Sequence, residues 1–157
     1  MNSVQVRSYE PGDREQVLAL APRLIDGVAA WRDPAGVASA VTGWVTASLA
    51  AAEADERPVW VALRHGRVIG FVTAERQRHW SGADDAYIGE LAVAHHAGGG
   101  GVGRALVEAV VGWAHTQRLD RVTLSTGAAN LAARRFYAAL GFAEEDVRLT
   151  LVLDAKP

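Results

Sequence analysis

Residues 90–114 read "ELAVAHHAGGGGVGRALVEAVVGWA", in which four consecutive glycines separate a strand-like run from a helix-like run. Apolar residues at helical spacing predict the helix from about Val102 to Gln117. Inside regular structure an ordered glycine costs roughly 0.5–1 kcal/mol relative to alanine, so a run of four needs a reason. Free N–H groups at a helix N-terminus attract anions, and glycine lets a phosphate approach the backbone closely. The run therefore predicts either an anion-binding turn or a flexible helix entry that binds no ligand.

Two familiar phosphate-binding motifs do not account for these glycines. Gly98, Gly100 and Gly103 satisfy the G-x-G-x-x-G spacing of a dinucleotide fold. That loop, however, follows the first strand of a parallel βαβ unit, whereas this one comes late in the chain, after a run that we expect to be antiparallel. A Walker A loop needs a lysine, and the only lysine of the chain is Lys156. Neither nucleotide-binding fold is predicted.

The hydrophobic pattern around this segment predicts one mixed α/β domain over residues 1–157. His65-Gly66 lies between two alternating runs and indicates a tight hairpin turn, while Asp33 and Pro34 are typical of a helix start. Pro22 is expected to kink or end the first helix. The predicted order is a strand (4–9), two helices (from Asp13 and from Pro34), three strands (58–64, 67–75 and 85–93), a helix (102–117), a strand (121–126), a helix (130–140) and a closing strand (147–153).

Composition narrows the function classes. The formal net charge is −2 with scattered basic residues, which argues against a nucleic-acid partner. With no cysteine there is no disulfide, thiolate metal site or cysteine nucleophile. Polar residues interrupt the apolar runs and the N-terminus lacks a signal-peptide pattern, so we expect no membrane segment and a cytoplasmic location. The adjacent His95 and His96 point apart on extended backbone, and no metal site is expected.

The quoted segment resembles the acetyl-CoA-binding segment of the GCN5-related N-acetyltransferases, and "NLAARRFYAALGF" (130–142) resembles the segment that follows it in that superfamily. The order and spacing of the two blocks agree with the family. The resemblance implies an α/β (α+β) fold whose mixed, mostly antiparallel sheet is flanked by helices and has a splayed central strand pair. It also implies acetyl transfer from acetyl-CoA to a primary amine of a small molecule or peptide, by a monomer or homodimer.

The resemblance further implies which residues hold acetyl-CoA. The strand before the glycines would contact the pantetheine arm through its backbone, with the Val93 N–H polarising the thioester oxygen; an ordinary core strand is the alternative. In the family, an arginine or glutamine usually stands where this chain has Gly98, and a second basic residue where it has Gly100. We therefore expect weaker cofactor binding, partly compensated by Arg104 or Arg134. The implied cofactor-binding residues are Leu91, Ala92, Val93, Gly98, Gly99, Gly100, Gly101, Val102, Gly103, Arg104, Asn130, Arg134 and Tyr137.

Two residues are candidates for the catalytic proton transfers. Tyr137 matches a tyrosine that often acts as general acid, although without the family a tyrosine there would be a core or rim residue. Glu90 is the first candidate for the base that deprotonates the amine, because it directly precedes the Leu91–Val93 segment. A solvent-exposed role for Glu90, a base that acts through water, or no base at all stay open. Strict alternation places Ile88, Glu90 and Ala92 on one face, and a bulge would change that. Asn130 is expected to cap its helix and to lie near the pantetheine.

The acceptor is expected to contact the parts of the chain that the family constrains least. The candidates are Trp31, Arg32, His79, Trp80 and Tyr87. Trp44 is a further candidate, for which core packing is equally expected. The alternative function is a non-catalytic acyl-CoA-binding sensor or partner-binding module of the same fold, favoured by Gly98 and Gly100 and opposed by the presence of Asn130 and Tyr137.

Overall fold

The computed structural model describes residues 3–153, in which five strands form one sheet in the order β1-β2-β3-β4-β5. Neighbouring strands are antiparallel except for β4 and β5, which are parallel. The predicted mixed, mostly antiparallel α/β fold is therefore confirmed. The strands are β1 (Gln5–Ser8), β2 (Val59–Arg64), β3 (Arg67–Arg78), β4 (Asp84–Val93) and β5 (Val122–Leu124), and the helices are α1 (Arg14–Leu20), α2 (Pro34–Glu53), α3 (Val102–Thr116) and α4 (Leu131–Ala139).

Both faces of the sheet are covered by helices. On one face, α1 and α2 bury Val17, Val45 and Leu49 against side chains that include Phe71 of β3. On the other face, α3 packs the apolar stripe predicted from its sequence, which includes a fully buried Leu106, against β3 and β4. The sheet thus forms the middle layer of three.

Local chemistry explains where the helices begin and end. Asp33 caps α2, since its carboxylate accepts a hydrogen bond from the Gly36 N–H at 2.7 Å. The helix α1 ends at Leu20, and a 3₁₀ turn (Ala21–Ile25) that contains Pro22 continues the chain. These boundaries agree with the sequence, and so does the two-residue turn at His65-Gly66, where both residues have positive φ.

The helix α2 has no charged residue before Glu53, and its mean hydropathy reaches 1.4 over 18 residues. Among residues 3–153 it is the one helix whose length and composition would allow it to cross a membrane. The expectation that polar residues interrupt every such run is wrong for this segment. Val41, Val45 and Leu49 of α2 are nevertheless buried against the rest of the domain, as in a helix that packs on a core.

The chain after α4 differs from the prediction. Residues 147–153 are not part of the sheet, although their alternating pattern favours a strand. The expected closing strand is therefore wrong for the chain as folded here. A strand needs hydrogen-bond partners as well as propensity, and this segment has none within the described residues. The strand β5 is also shorter than the predicted 121–126.

Candidate active site

The site is organised by a bulge in β4. Ile88 lies opposite Ala74 of β3 and Leu91 lies opposite Val72, so the single residue Thr73 faces both Gly89 and Glu90. Strict alternation would have placed Ile88 and Glu90 on the same face. Instead Ile88 packs beneath α3, while Glu90 turns towards α2. The bulge thus directs a carboxylate into the interior between the sheet and α2.

Two hydroxyl groups hold the Glu90 carboxylate, which is only 7% exposed. The Ser48 hydroxyl of α2 lies 3.0 Å from Oε2 and 3.3 Å from Oε1. The Thr73 hydroxyl donates to Oε2 and accepts the Glu90 N–H at 2.9 Å. Burial raises the pKa of Glu90, and the bonds from Thr73 and Ser48 partly oppose that rise. The solvent-exposed alternative for Glu90 is wrong, and its raised pKa suits a proton acceptor that works near neutral pH.

A cavity of about 310 Å³ opens beside Glu90. Its walls are mostly apolar, and the Arg57–Glu75 ion pair, with an N–O distance of 3.0 Å, adds one charge of each sign. Trp44 projects at the rim with 58% of its surface exposed, so it is available to a ligand and is not a core residue. The lining residues are Trp44, Ala47, Ser48, Arg57, Pro58, Val59, Thr73, Ala74, Glu75, Tyr87, Gly89 and Glu90.

Of the five acceptor residues named from the sequence, the structure brings only Tyr87 to this cavity. Trp31 and Arg32 are exposed in the turn before α2, and His79 and Trp80 stack on each other at the β3–β4 turn with ring centroids 4.9 Å apart. These four do not line the cavity or the groove described next. Their contact with an acceptor stays a prediction.

A groove of about 640 Å³ runs between β4 and β5 and meets the cavity at Trp44, Gly89 and Glu90. The groove exists because the two strands pair only from residue 86 to residue 88 of β4 and then separate. The Ala94 N–H binds the Ile69 carbonyl of β3 at 2.8 Å. Hydrogen-bonded and non-hydrogen-bonded pairs alternate along an antiparallel ladder, so the Leu91 and Val93 peptide groups face the gap. They can pair with an extended ligand as an added strand would.

The glycine loop closes one end of the groove. Gly99 has φ +75° and Gly101 has φ +77°, a conformation that strains residues with a side chain. Gly101 precedes α3 without a side-chain cap, which leaves N–H groups of the first helical turn open to an anion. At Gly103 an added Cβ would lie 2.9 Å from the Phe136 ring, so glycine here allows α3 and α4 to approach closely.

Gly98 and Gly100 have different surroundings, although both lack the family's basic side chain. Gly98 has φ −62°, and the nearest atom to an added Cβ is 3.5 Å away. At Gly100 the space is taken by the Arg64 guanidinium of β2, whose Nη2 atom would lie 3.2 Å from the Cβ. The Arg64 Nε is buried without a hydrogen-bond partner among the described residues. A positive charge therefore lies behind the loop, supplied by a strand instead of the loop itself.

The helix α4 forms the opposite wall of the groove. Asn130 caps it, as predicted, by accepting the Ala133 N–H at 3.1 Å. Tyr137 lines the groove between Phe136 and Phe142, with ring centroids 5.0 and 5.5 Å away. Burial raises the pKa of Tyr137 to about 12, so the phenol keeps its proton over the whole neutral range.

The predicted cofactor-binding residues fall into two groups, those that line the groove and those that do not. The groove is lined by Leu91, Ala92, Val93, Gly98, Gly99, Gly101, Val102, Gly103, Arg104, Asn130 and Tyr137, but not by Gly100 or Arg134. Arg134 binds Glu144 and the Ala128 carbonyl, which leaves it less able to replace a loop cation. Arg104 has no ion-pair partner among residues 3–153 and lies in the first turn of α3. Arg104 is thus the better placed of the two compensating arginines.

Sequence reasoning missed several residues that build the site. Arg23 binds the Val93 carbonyl through Nε at 2.8 Å and so ties the segment after α1 to the splayed strand. Gly27 and Gly127 are in backbone contact at the groove, where a Cβ on Gly127 would overlap the Gly27 carbonyl. Ser48 and Thr73 carry no signal of their own in the sequence. Of these residues, only Gly27 could have been expected from the sequence. A glycine directly after the turn-forming Asp26 is typical of a residue with positive φ, as the structure shows at Gly27.

The arrangement joins a binding groove to an acceptor cavity at a buried carboxylate. The groove offers open peptide groups, a helix N-terminus and a protonated phenol, which together fit a long ligand with a phosphate end and a reactive end. Among residues 3–153 no three His, Asp or Glu side chains are close enough together to hold a metal ion. The chemistry that these residues can perform is proton transfer to Glu90 and from Tyr137.

Comparison with known proteins gives the family context. The model of the acetyltransferase (GNAT) family matches residues 25–142. A curated relative, N-acetylaspartate synthetase of Danio rerio, is 31% identical over 83 residues, which are 53% of this chain and 28% of that protein. The chain thus spans less than a third of that relative's length.

Solved structures show the same fold at low sequence identity. An aminoglycoside N-acetyltransferase, AAC(6')-Iy, in complex with CoA superposes with a TM-score of 0.75 at 18% identity, covering 99% of this chain and 97% of that one. A putative acetyl transferase from Pyrococcus furiosus gives a TM-score of 0.76 at 18% identity, covering 96% and 100%.

Proposed function

We propose that this chain, which belongs to the acetyltransferase (GNAT) family, is an acetyl-CoA-dependent N-acetyltransferase. Its proposed acceptor is a small molecule whose primary amine enters the cavity beside Trp44 and Glu90. One observation carries the proposal: the acceptor cavity and the cofactor groove share Glu90, a buried carboxylate with a raised pKa. A cavity of about 310 Å³ suits a small amine better than a folded protein surface. The cysteine-free chain is proposed to work in the cytoplasm.

The residues of the groove fit acetyl-CoA. The open Leu91 peptide group and the open Val93 N–H suit the amides of a pantetheine arm, and the N-terminus of α3 suits a diphosphate. When bound, acetyl-CoA supplies an acetyl group that is activated as a thioester. The Val93 N–H faces the gap and is proposed to donate a hydrogen bond to the thioester oxygen.

Proton transfer divides between two side chains. A protonated alkylamine has a pKa near 10.4 and must lose a proton before it can act as a nucleophile. Glu90 accepts that proton, directly or through one water, and its two hydroxyl partners hold the carboxylate in place. Tyr137 stays protonated because of its raised pKa and donates a proton to the sulfur as the C–S bond breaks. The second proton released by the attacking nitrogen as the amide forms restores the phenol.

The charges of the cavity favour a cationic acceptor. Glu90 and Glu75 supply two carboxylates, of which Glu75 is paired with Arg57. The exposed face of Trp44 offers a cation–π contact to an ammonium group. Proteins of similar fold or sequence are described as aminoglycoside N-acetyltransferase and N-acetylaspartate synthetase, which suggests amino sugars and amino acids as two arms of a test.

The test is free-thiol release from acetyl-CoA with a panel of amines: simple alkylamines, polyamines, aminoglycosides, amino acids including aspartate, and short peptides. Release with one small-amine class and not with peptides is the expected result. Trp44→Ala should raise KM about tenfold with little change in kcat, if a cation–π contact of roughly 1–2 kcal/mol is lost. Val111→Ala is the control, because Val111 is exposed on α3 and lines neither the cavity nor the groove.

The alternative of a non-catalytic acyl-CoA-binding module gives a different result. A ligand present at a hundred times its Kd stabilises a protein by about 2.7 kcal/mol, so acetyl-CoA and CoA should raise the melting temperature under either function. A clear thermal shift without thiol release from any amine would favour the module. Release that Glu90→Gln lowers about 10²–10⁴-fold would favour the enzyme with Glu90 as its base.

A further inference from the structure

One ion pair on the wall of the acceptor cavity takes no part in the proton transfers. Arg57, two residues before β2, and Glu75 of β3 line this cavity together with Glu90. The Arg57 and Glu75 side chains, which are 38% and 33% exposed, are joined at an N–O distance of 3.0 Å. An ion pair this exposed contributes little to stability. Glu90 and Trp44 account for the amine of the acceptor, which leaves the positive charge of Arg57 without a role.

The Arg57 guanidinium keeps most of its donors open. A guanidinium carries five N–H bonds in a planar fork, and within residues 3–153 Arg57 donates a hydrogen bond only through Nη1, to Glu75. Nε and Nη2 are therefore free to bind a ligand. Arginine stays charged at neutral pH, and its fork matches the two oxygens of a carboxylate. A guanidinium of this kind on a cavity wall is suited to bind an anionic group.

The charge of Arg57 acts on the proposed base across the cavity. Arg57 lowers the pKa of Glu90, and Glu75 raises it by a smaller amount. Because Coulomb interactions weaken with distance, the guanidinium lies nearer to Glu90 than the Glu75 carboxylate does. A second ammonium group on the acceptor would therefore meet the positive member of the pair first. An anionic group next to the amine meets an attractive charge instead.

Strand geometry sets the distance between the two ends of the cavity. Thr73 of β3 binds Glu90. Glu75, two residues further along the same face of β3, binds Arg57. Two residues of a strand span about 7 Å. An amine at Glu90 and an anion at Arg57 each need a hydrogen bond of about 2.9 Å, which leaves room for a spacer of only one or two carbon atoms between them.

We propose, on the basis of the acetyltransferase function proposed above, that the acceptor is an α- or β-amino acid whose amine lies at Glu90 and whose carboxylate binds the open donors of Arg57. Glu75 holds the guanidinium on the cavity wall through Nη1. The cavity of about 310 Å³ has the size for such a small molecule. In a peptide, an amide replaces the carboxylate next to the terminal amine, so the same contact selects against peptides.

The first experiment compares matched acceptors by free-thiol release from acetyl-CoA. The acceptors are glycine, β-alanine and L-leucine, each with its amide and with the parent amine that lacks the carboxylate. At least one acid is expected to have a kcat/KM about tenfold or more above that of its amide, because the amide loses a charge-assisted hydrogen bond. An α-amine beside an amide titrates near 7.7–8.0 and is more often neutral than an alkylamine. A preference for the acid therefore reports binding and not the reactivity of the amine.

The second experiment changes the arginine. In Arg57→Gln the ratio of kcat/KM for the acid to that for its amide should fall about tenfold, mainly through KM for the acid. Arg57→Lys should keep part of the ratio, because lysine keeps the charge but not the fork. Arg14→Gln is the matched control and should keep the whole ratio. The Arg14–Glu53 pair has the same N–O distance of 3.0 Å and similar exposure, and it lies outside the cavity and the groove. Thermal unfolding confirms that each variant is folded, and an unchanged ratio in folded Arg57→Gln overturns the proposal.

The outcomes separate the carboxylate site from the acetyltransferase function. Release with amines and amides, but without a preference for any acid, leaves the function intact and refutes the site. A preference for 1,3-diaminopropane over both propylamine and β-alanine would show that Glu75 binds a second ammonium group, and it also refutes the site.

If no amine is acetylated, the function fails and calorimetry decides on the site. The three acids and their amides are then titrated into wild-type protein saturated with CoA. At least one acid should bind about tenfold or more tightly than its amide, and Arg57→Gln should abolish the difference. Equal binding of acids and amides to the wild type overturns the proposal.

Discussion

Replacing Ser48 with alanine should move the pH dependence of catalysis in a known direction. The Ser48 hydroxyl donates to the Glu90 carboxylate and so stabilises its charged form, while burial raises its pKa. Removing the donor favours the neutral form, so the pKa of Glu90 rises further. Glu90 must be ionised to accept a proton from the amine. The acid limb of the kcat/KM profile should therefore shift to higher pH.

The size of the shift follows from the strength of one hydrogen bond. A bond to a charged group contributes about 1.5–3 kcal/mol, and one pKa unit corresponds to about 1.36 kcal/mol. The expected rise in the pKa of Glu90 is therefore about 1–2 units. The Ser48 hydroxyl lies between the two carboxylate oxygens, at 3.0 and 3.3 Å, so we expect a value near one unit. Thr73→Val should shift the limb in the same direction and also destabilise the fold, because the Glu90 N–H loses its acceptor.

The assay is free-thiol release across the pH range with the amine identified from the panel, together with a carboxyl ¹³C NMR titration of Glu90 that needs no acceptor. Using one amine for all variants cancels the ionisation of the amine itself. Thr46→Val is the control, since that hydroxyl donates to the Thr42 carbonyl within α2 at 2.8 Å. An acid limb that stays in place in both Ser48→Ala and Thr73→Val would remove Glu90 as the base.

Three further predictions concern the phenol, the glycine loop and the N-terminal turn. Tyr137→Phe should lower kcat at least about tenfold and leave the Kd for CoA unchanged; equal kcat would show that another group protonates the thiolate. Gly98→Arg should tighten CoA binding about tenfold through one charge-assisted bond, measured by calorimetry, whereas Gly99→Arg should weaken it because φ there is +75°. Asp13→Asn should lower the free energy of unfolding by about 1–3 kcal/mol at pH 7, because Asp13 binds Arg7 at 2.7 and 2.9 Å. Since these contacts lower the pKa of Asp13, its contribution is present above about pH 4 and disappears as the pH falls through the lowered value, so urea unfolding of wild type and variant should converge in acid.

The sequence predicted the elements well where the signal is local. Three features depend on residues within a few positions of each other: the Asp33 cap of α2, the turn at His65-Gly66 and the Asn130 cap of α4. The bulge at Glu90 depends on pairing with Thr73, 17 residues earlier, and its second partner Ser48 is 42 residues away. Alternation along β4 alone could not reveal it, because the register against β3 decides which face Glu90 takes.

The segment 147–153 shows a second limit of prediction from sequence. Its alternation predicts a strand, yet no strand forms there among the described residues. Propensity describes a single segment, whereas a strand is completed by the edge that it joins.

The glycine loop separates what the backbone requires from what the ligand requires. Gly99 and Gly101 are needed for their positive φ, and Gly103 is needed because Phe136 packs against it. Gly98 has neither a positive φ nor a close neighbour that would exclude a side chain. We therefore expect the lack of a basic side chain at Gly98 to weaken cofactor binding, which Gly98→Arg tests. Gly100 also lacks a conformational reason, but it leaves the space in which the Arg64 guanidinium lies. By comparison with the family, the loop lacks two basic side chains, at Gly98 and at Gly100. The structure places the Arg64 guanidinium of β2 beside Gly100, so we expect Gly98 to limit cofactor affinity more than Gly100.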